Sequence, residues 1–479
     1  MDEEDDWTMD FTLILPEIAL AALAILLIAL DLALPEDRKR LLAYVGAAGL
    51  IVPAALVASM AGRHEISFSG TFVVDNLSTF FKAIFLFAAA LVLLSGAGYI
   101  EKRTKHPGEF YALVLFSTLG MLFMASAREL ITLYVSLELT SIMLYILAGY
   151  LKHDLASTEA GLKYLLLGAL SSTVLLYGIA LIYGASQTTI LPDIATRIQP
   201  NGIAIVAAIM IAAGFGFKVA MVPFHMWVPD VYQGAPTPAT AFISVASKAA
   251  GFVVLLRVFQ TAFIPLDGIW PSLFAVLAAI TMTVGNVGAL RQTNVKRLLG
   301  YSSIGQAGYA LMGLATASAA TSSALVFFIF AYALTNLGVF AAVTHVSDRL
   351  DSDEIDAYNG LSQRAPVLAL AMTLCLLSLV GMPPLAGFWS KVNLFYNVFS
   401  QGQVALVLIA LLNAAIGAYY YLKIVHAVYL KPAPIDKPLP GAFSVSLALA
   451  VAVAAVLVVG LVPGPFIGFA TAAAAAVHP

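Results

Sequence analysis

Apolar residues fill this chain in long blocks, and polar residues gather in the short connections between them. A membrane-spanning helix needs about 20 mostly apolar residues. Against that length the pattern predicts fourteen segments, at 11–34, 41–61, 74–99, 110–126, 129–150, 160–184, 203–224, 237–262, 269–290, 297–316, 321–346, 366–400, 403–430 and 442–470. The expected fold class is an all-α polytopic membrane protein with fourteen transmembrane helices. Two segments are irregular: the seventh continues raggedly past Pro223, and the twelfth is too long for one straight span.

Composition agrees with this class. Of 479 residues, 61% are hydrophobic and 11% charged, whereas a soluble domain carries about 25% charged residues. The placement of the charges says more than their net value of −3. Fourteen Lys and Arg fall after odd-numbered segments: Arg38, Lys39, Arg40, Lys102, Arg103, Lys105, Lys152, Arg291, Lys296, Arg297, Arg349, Arg364, Lys431 and Lys437. Only Arg63, Arg128 and Arg197 fall after even-numbered ones. Positive connections face the cytoplasm, so both termini are expected on the other, periplasmic side of a bacterial inner membrane. The start, MDEEDDW, is acidic and the first apolar run is long, so no cleavable signal peptide is expected.

Some chemistries drop out. The single cysteine, Cys375, lies in an apolar run, which excludes a disulfide framework, an iron–sulfur cluster and a cysteine zinc site. The stretches GAGY and GFGF sit in apolar helices, without the strand and spacing of a dinucleotide fingerprint.

The irregular segments carry prolines beside lysines. Pro223 follows Lys218 in GFGFKVAMVPFHMWVPD, and its missing N–H strands the Val219 carbonyl. In LSLVGMPPLAGFWSKVNLF, Pro383 and Pro384 free the carbonyls of Leu379 and Val380, with Lys391 about two turns further on. Unpaired backbone at membrane depth is tolerated only inside protein or beside a wet cavity. The two breaks lie five segments apart. That spacing predicts two five-helix units, segments 4–8 and 9–13, inverted because an odd number separates them, with a path at their interface. The chain then divides into 1–109, 110–265, 266–435 and 436–479.

Glu138, Lys163, Lys218, Lys248 and Lys391 fall inside these segments or at their mouths. A charge at the bilayer centre costs about 2.5–3.5 kcal/mol on insertion scales, so such residues mark ion or proton paths. Tyr134, Glu138, Ser141 and Tyr145 share one helical face, as do Ser244, Lys248 and Gly251. Ser302, Gln306, Tyr309, Tyr332, Asn336, Asn413, Gly417 and Tyr420 add hydroxyls, amides and gaps for water. Lysine suits proton exchange because a desolvated ammonium loses its charge readily and arginine does not. Plainer readings stand beside these. Lys163 and Lys423 can snorkel to the interface, and Lys82 and Arg257 are most simply interfacial. Glu17 and Asp31 are expected to contact a neighbouring helix or headgroups. His225 is either a gate or relay or a satisfied core histidine.

The runs PFHMWVPDVYQGAPTPATAFISVASKAAGF (223–252), NVKRLLGYSSIGQAGY (294–309) and GMPPLAGFWSKVNLF (381–395) closely resemble the subunit N family of the proton-pumping NADH:quinone oxidoreductase, respiratory complex I. That family is grouped with Mrp-type cation/proton antiporters, and its fold holds fourteen helices with inverted five-helix repeats. The resemblance covers roughly 110–430; the outer helices match in number and hydropathy. TAFISVASKAAGF has Lys248 and lacks the histidine typical of sister subunits and antiporters. Lys391 stands where the M-type subunit usually has glutamate, and the chain stops at Pro479 without the L-type lateral helix.

By position, the resemblance implies that Glu138 and Lys218 form a pair on segments 5 and 7. Lys248 becomes the central relay, Lys391 the segment 12 lysine, and Lys163 a lysine between the pair and a neighbouring subunit. It implies no cofactor or metal in this chain; NADH, FMN, iron–sulfur clusters and quinone belong to other subunits. Implied partners are an M-type antiporter-like subunit, small K/J/A-type subunits and lipids, with no nucleic acid. The expected function is proton translocation coupled to electron transfer from NADH to quinone. Alternatives are a cation/proton antiporter subunit without redox coupling, a relative coupled to another electron donor, and a membrane scaffold.

Overall fold

The computed structural model describes residues 9–433 and 438–478. The acidic start, Lys437 and Pro479 lie outside the described residues. Among the described residues, twelve helices are long and apolar enough to cross a membrane, where the pattern predicts fourteen. The two that fall short are the tenth and twelfth predicted segments. The tenth is Val295–Leu311, of 17 residues. The twelfth is split into Pro366–Val380 and Ala386–Ser400, of 15 residues each. Gly381 ends the first half in the left-handed region at φ 96°, where a side chain would be strained.

Other boundaries follow local chemistry. Asp75 and Ser78 form a reciprocal capping box that starts Asn76–Glu101. Asn201 caps Gly202–Val219, and Asn294 caps Val295–Leu311, each through its side-chain oxygen. The seventh predicted segment ends at Val219, short of Pro223; the chain resumes as Trp227–Gly234. The predicted fourteenth segment is two helices, Phe443–Leu461 and Pro463–Ala474, because Pro463 starts a new helix. The connection after the second predicted segment holds a small hairpin, Glu65–Ser67 against Phe72–Val74.

The Thr237–Thr261 and Ala319–Leu350 helices are enclosed by the others, whereas Leu155–Ser186 leaves Leu162, Leu165, Leu166 and Leu170 exposed. Two charges expected at the interface are instead buried. Lys82 pairs with Glu17 at 2.7 Å, both side chains 1% exposed, joining Asn76–Glu101 to Phe11–Ala33. Arg257 grips Asp75 with two bonds of 2.9 and 3.0 Å and also donates to the Ala125 carbonyl. Asp31 meets Lys39 and His106. A charge that cannot reach water is retained by pairing, and the spacing of one helix does not disclose a partner on another.

Candidate functional site

Lys218 lies in the last turn of Gly202–Val219 and is 2% exposed. Ala220 closes that turn in the left-handed region, and the Met221 N–H donates to the Gly216 carbonyl at 2.8 Å. A cation here also faces the negative end of the helix dipole. The Lys218 ammonium donates to Ser141 Oγ at 2.9 Å. Glu138, on the same face of Leu130–Ala148 as Ser141, accepts from the Ser172 hydroxyl, which also lies 3.1 Å from Tyr134 Oη. Among the described residues the pair implied by the resemblance forms no ion pair: Lys218 bonds Ser141, and Glu138 bonds Ser172. Gly251 lets Thr237–Thr261 close on this site: a Cβ there would lie 2.7 Å from Val219 and 3.4 Å from Lys218.

Lys248 directly follows a π-helical turn, Ile243–Ser247, inside Thr237–Thr261. It is 2% exposed and donates to the carbonyl and hydroxyl of Ser303 at 2.7 and 2.8 Å. Ser244 accepts from Asn336 at 2.8 Å through its hydroxyl and from Tyr332 at 3.2 Å through its carbonyl. The π turn thus hangs on Ala319–Leu350.

Lys391 donates to the Leu379 and Val380 carbonyls at 2.8 and 2.9 Å, the two acceptors that Pro383 and Pro384 free. Its ammonium sits 5.2 Å over the Tyr309 ring, beside a narrow cavity lined by Gln306, Tyr332, Thr335, Ser378 and Ser390. Gln306 donates to the Leu379 carbonyl at 3.3 Å and to Tyr421 Oη at 3.1 Å, and Tyr421 bonds Ser302. Ser302 neighbours Ser303, so Val295–Leu311 carries a polar run from Lys248 to Lys391. Asn286, which the face analysis did not single out, donates to Tyr309 Oη at 3.1 Å and accepts from Tyr420 at 2.9 Å. Among the described residues, none of Lys218, Lys248 and Lys391 forms an ion pair with a carboxylate.

Two expected residues stand apart. The Lys163 side chain is 41% exposed and bridges Glu159 and Asp230, each at 2.7 Å, so it belongs to a rim cluster rather than to the buried run. Arg297 takes the other oxygen of Asp230 at 2.7 Å. Burial alone would raise the Asp230 carboxyl, but bonds from Lys163 and Arg297 outweigh it and hold the group below its ordinary range. His225 is half-buried in the turn after the break, its Nδ1 without a hydrogen-bond partner among the described residues, and it touches none of the lysine sites through a hydrogen bond. Lys423 donates to the Gln292 carbonyl at 3.0 Å. Sequence reasoning missed Ser172, Ser303 and Asp230. Each acts across helices, and only Asp230, in the WVPD stretch between two spans, offered a signal.

A family model described as NADH:quinone oxidoreductase/Mrp antiporter matches residues 127–417. NADH-quinone oxidoreductase subunit N of Heliobacterium modesticaldum is 43% identical over 469 residues, 97% of this chain and 99% of the relative. A chain in the structure of respiratory complex I from Thermus thermophilus superposes with a TM-score of 0.81 at 35% identity, covering 95% of this chain and 99% of that one. A chain of the Mrp complex from Dietzia shares the fold, with a TM-score of 0.85 at 19% identity and 98% coverage of both chains. The chain therefore belongs to the NADH:quinone oxidoreductase/Mrp antiporter family, among its subunit N members.

Proposed function

We propose that this chain is the antiporter-like N subunit of a bacterial respiratory complex I and translocates protons as electrons pass from NADH to quinone elsewhere in the assembly. The observation that carries the reading is the set of three buried lysines, Lys218, Lys248 and Lys391, held among the described residues by hydroxyls, carbonyls and a ring. A buried ammonium with no fixed carboxylate can exchange its proton, and a carboxylate brought nearer favours the charged form. Glu138, on the same helix face as the Ser141 that takes the Lys218 ammonium, is suited to that adjustment. Lys248 then relays toward Lys391 along Ser303, Ser302, Tyr421 and Gln306. His225, beside the break, is assigned a gating part.

In this reading all fourteen segments cross the membrane, with 4–8 and 9–13 as inverted repeats. Both termini face the periplasm, as the charge asymmetry of the connections favours. NADH, FMN, iron–sulfur clusters and quinone bind other subunits, and this chain carries no redox centre. An M-type subunit and small K/J/A-type subunits flank it.

The test uses membranes carrying Lys218→Ala or Lys218→Arg, with native gels to follow assembly. Both variants are expected to assemble and to lose NADH-driven proton uptake on the order of 10²-fold, the scale of a lost acid–base group. Wild-type uptake in Lys218→Arg would contradict the proposal, because a fixed charge would then suffice. Proton/cation exchange in membranes without NADH or quinone would favour the Mrp-like alternative.

A further inference from the structure

A continuous run of contacts joins the rim cluster around Asp230 to Lys218. Asp230 sits on the Trp227–Gly234 helix, with Lys163 Nζ 2.7 Å from one carboxylate oxygen and Arg297 Nη1 2.7 Å from the other. Three residues before Asp230, the Trp227 indole N–H donates to the Phe217 carbonyl at 3.0 Å, directly before Lys218 in the chain. The indole ring also stacks on Tyr164 at 4.3 Å with the planes 10° apart. Tyr164 follows Lys163 in sequence and meets Tyr145 edge-on at 4.8 Å. Tyr145 lies one turn beyond Ser141, the hydroxyl that takes the Lys218 ammonium. The two arms of the cluster therefore end on either side of Lys218, one at the backbone carbonyl before it and the other at the helix carrying its acceptor.

We propose that Asp230 is a positioning residue for Lys218: clamped between Lys163 and Arg297, it seats the Trp227 indole on the Phe217 carbonyl and fixes where the ammonium lies. Lys163 then serves the path as one jaw of this clamp, which accounts for its place on the rim. Partly exposed ion pairs contribute little to stability, so the clamp acts on position more than on stability. The inference rests on the reading of Lys218 as a proton carrier.

The test measures the pH profile of NADH-driven proton uptake in membranes containing the whole complex, for Asp230→Asn, Asp230→Glu, Trp227→Phe and the Asp230→Asn/Trp227→Phe double variant. Trp227→Phe keeps a ring against Tyr164 and removes the indole donor together with part of the ring's volume. Asp230→Asn and Trp227→Phe are each expected to lower uptake several-fold and to displace the profile the same way. The double variant should be no worse than either single, and Asp230→Glu should restore the wild-type profile. An unchanged profile in Asp230→Asn, or single effects that multiply in the double variant, would overturn the inference. Should Asp230→Asn lose its native-gel band, Lys163→Gln relaxes one jaw alone, and an unchanged profile there overturns it equally. Lys218→Ala separates the two claims. If it pumps normally, the proton-carrier reading fails. If it stops pumping while Asp230→Asn and Trp227→Phe stay normal, only the clamp is lost.

Discussion

Buried charge is handled in two ways in this molecule. Near the N-terminal helices it is closed into pairs: Glu17 with Lys82, and Asp75 with Arg257. At the buried lysine sites Lys218, Lys248 and Lys391 have only neutral hydrogen-bond acceptors among the described residues. A closed pair holds its protons fixed, and removing one partner strands the other charge. A lysine on a hydroxyl or carbonyl strands nothing when its proton leaves, since those acceptors can bond water instead. The first arrangement suits holding helices together. The second suits carrying protons.

The largest expected effect comes from opening a closed pair. Arg257→Leu leaves Asp75 alone in the core and should cost about 3–5 kcal/mol, read as a lowered unfolding temperature of the purified complex and a weakened native-gel band. Next in size, Lys248→Ala should assemble normally yet lose coupled proton uptake on the order of 10²-fold. A parallel loss of assembly there would erase the contrast between the two regions. Ser303→Ala, which removes one of two acceptors from Lys248, is expected to lower uptake only several-fold, measured in the same vesicles.

Smaller effects sharpen the contrast further. Replacing both members of the other closed pair, Glu17→Leu with Lys82→Met, should leave uptake and stability nearly unchanged, because an apolar substitute for a whole buried pair is often neutral or better. A loss of pumping in that double variant would move the pair into the proton path.

Much of this was legible in the sequence because it depends on local rules. Apolar run length located the twelve helices long enough to span, and the missing N–H groups of Pro383 and Pro384 pointed to the carbonyls that Lys391 takes. Helical spacing put Tyr134, Glu138 and Ser141 on one face, and all three meet the Ser172 and Lys218 side chains there. What stayed hidden depends on which helices meet. Ser172 beneath Glu138 and Ser303 beneath Lys248 lie 34 and 55 residues away along the chain. Lys82 and Arg257 looked interfacial because their positions near helix ends carry no sign of Glu17 and Asp75. The π turn before Lys248 has neither glycine nor proline in ISVAS to announce it.

Proton exchange by the buried lysines is put to the test by Lys248→Arg. Arginine keeps the charge and can still donate toward Ser303, but it does not give up its proton. The measurement is proton uptake per NADH oxidised in inverted membrane vesicles holding the assembled complex. A normal native-gel band with uptake largely abolished is expected. Wild-type uptake from that variant would contradict it, because a permanent charge would then do all that Lys248 does.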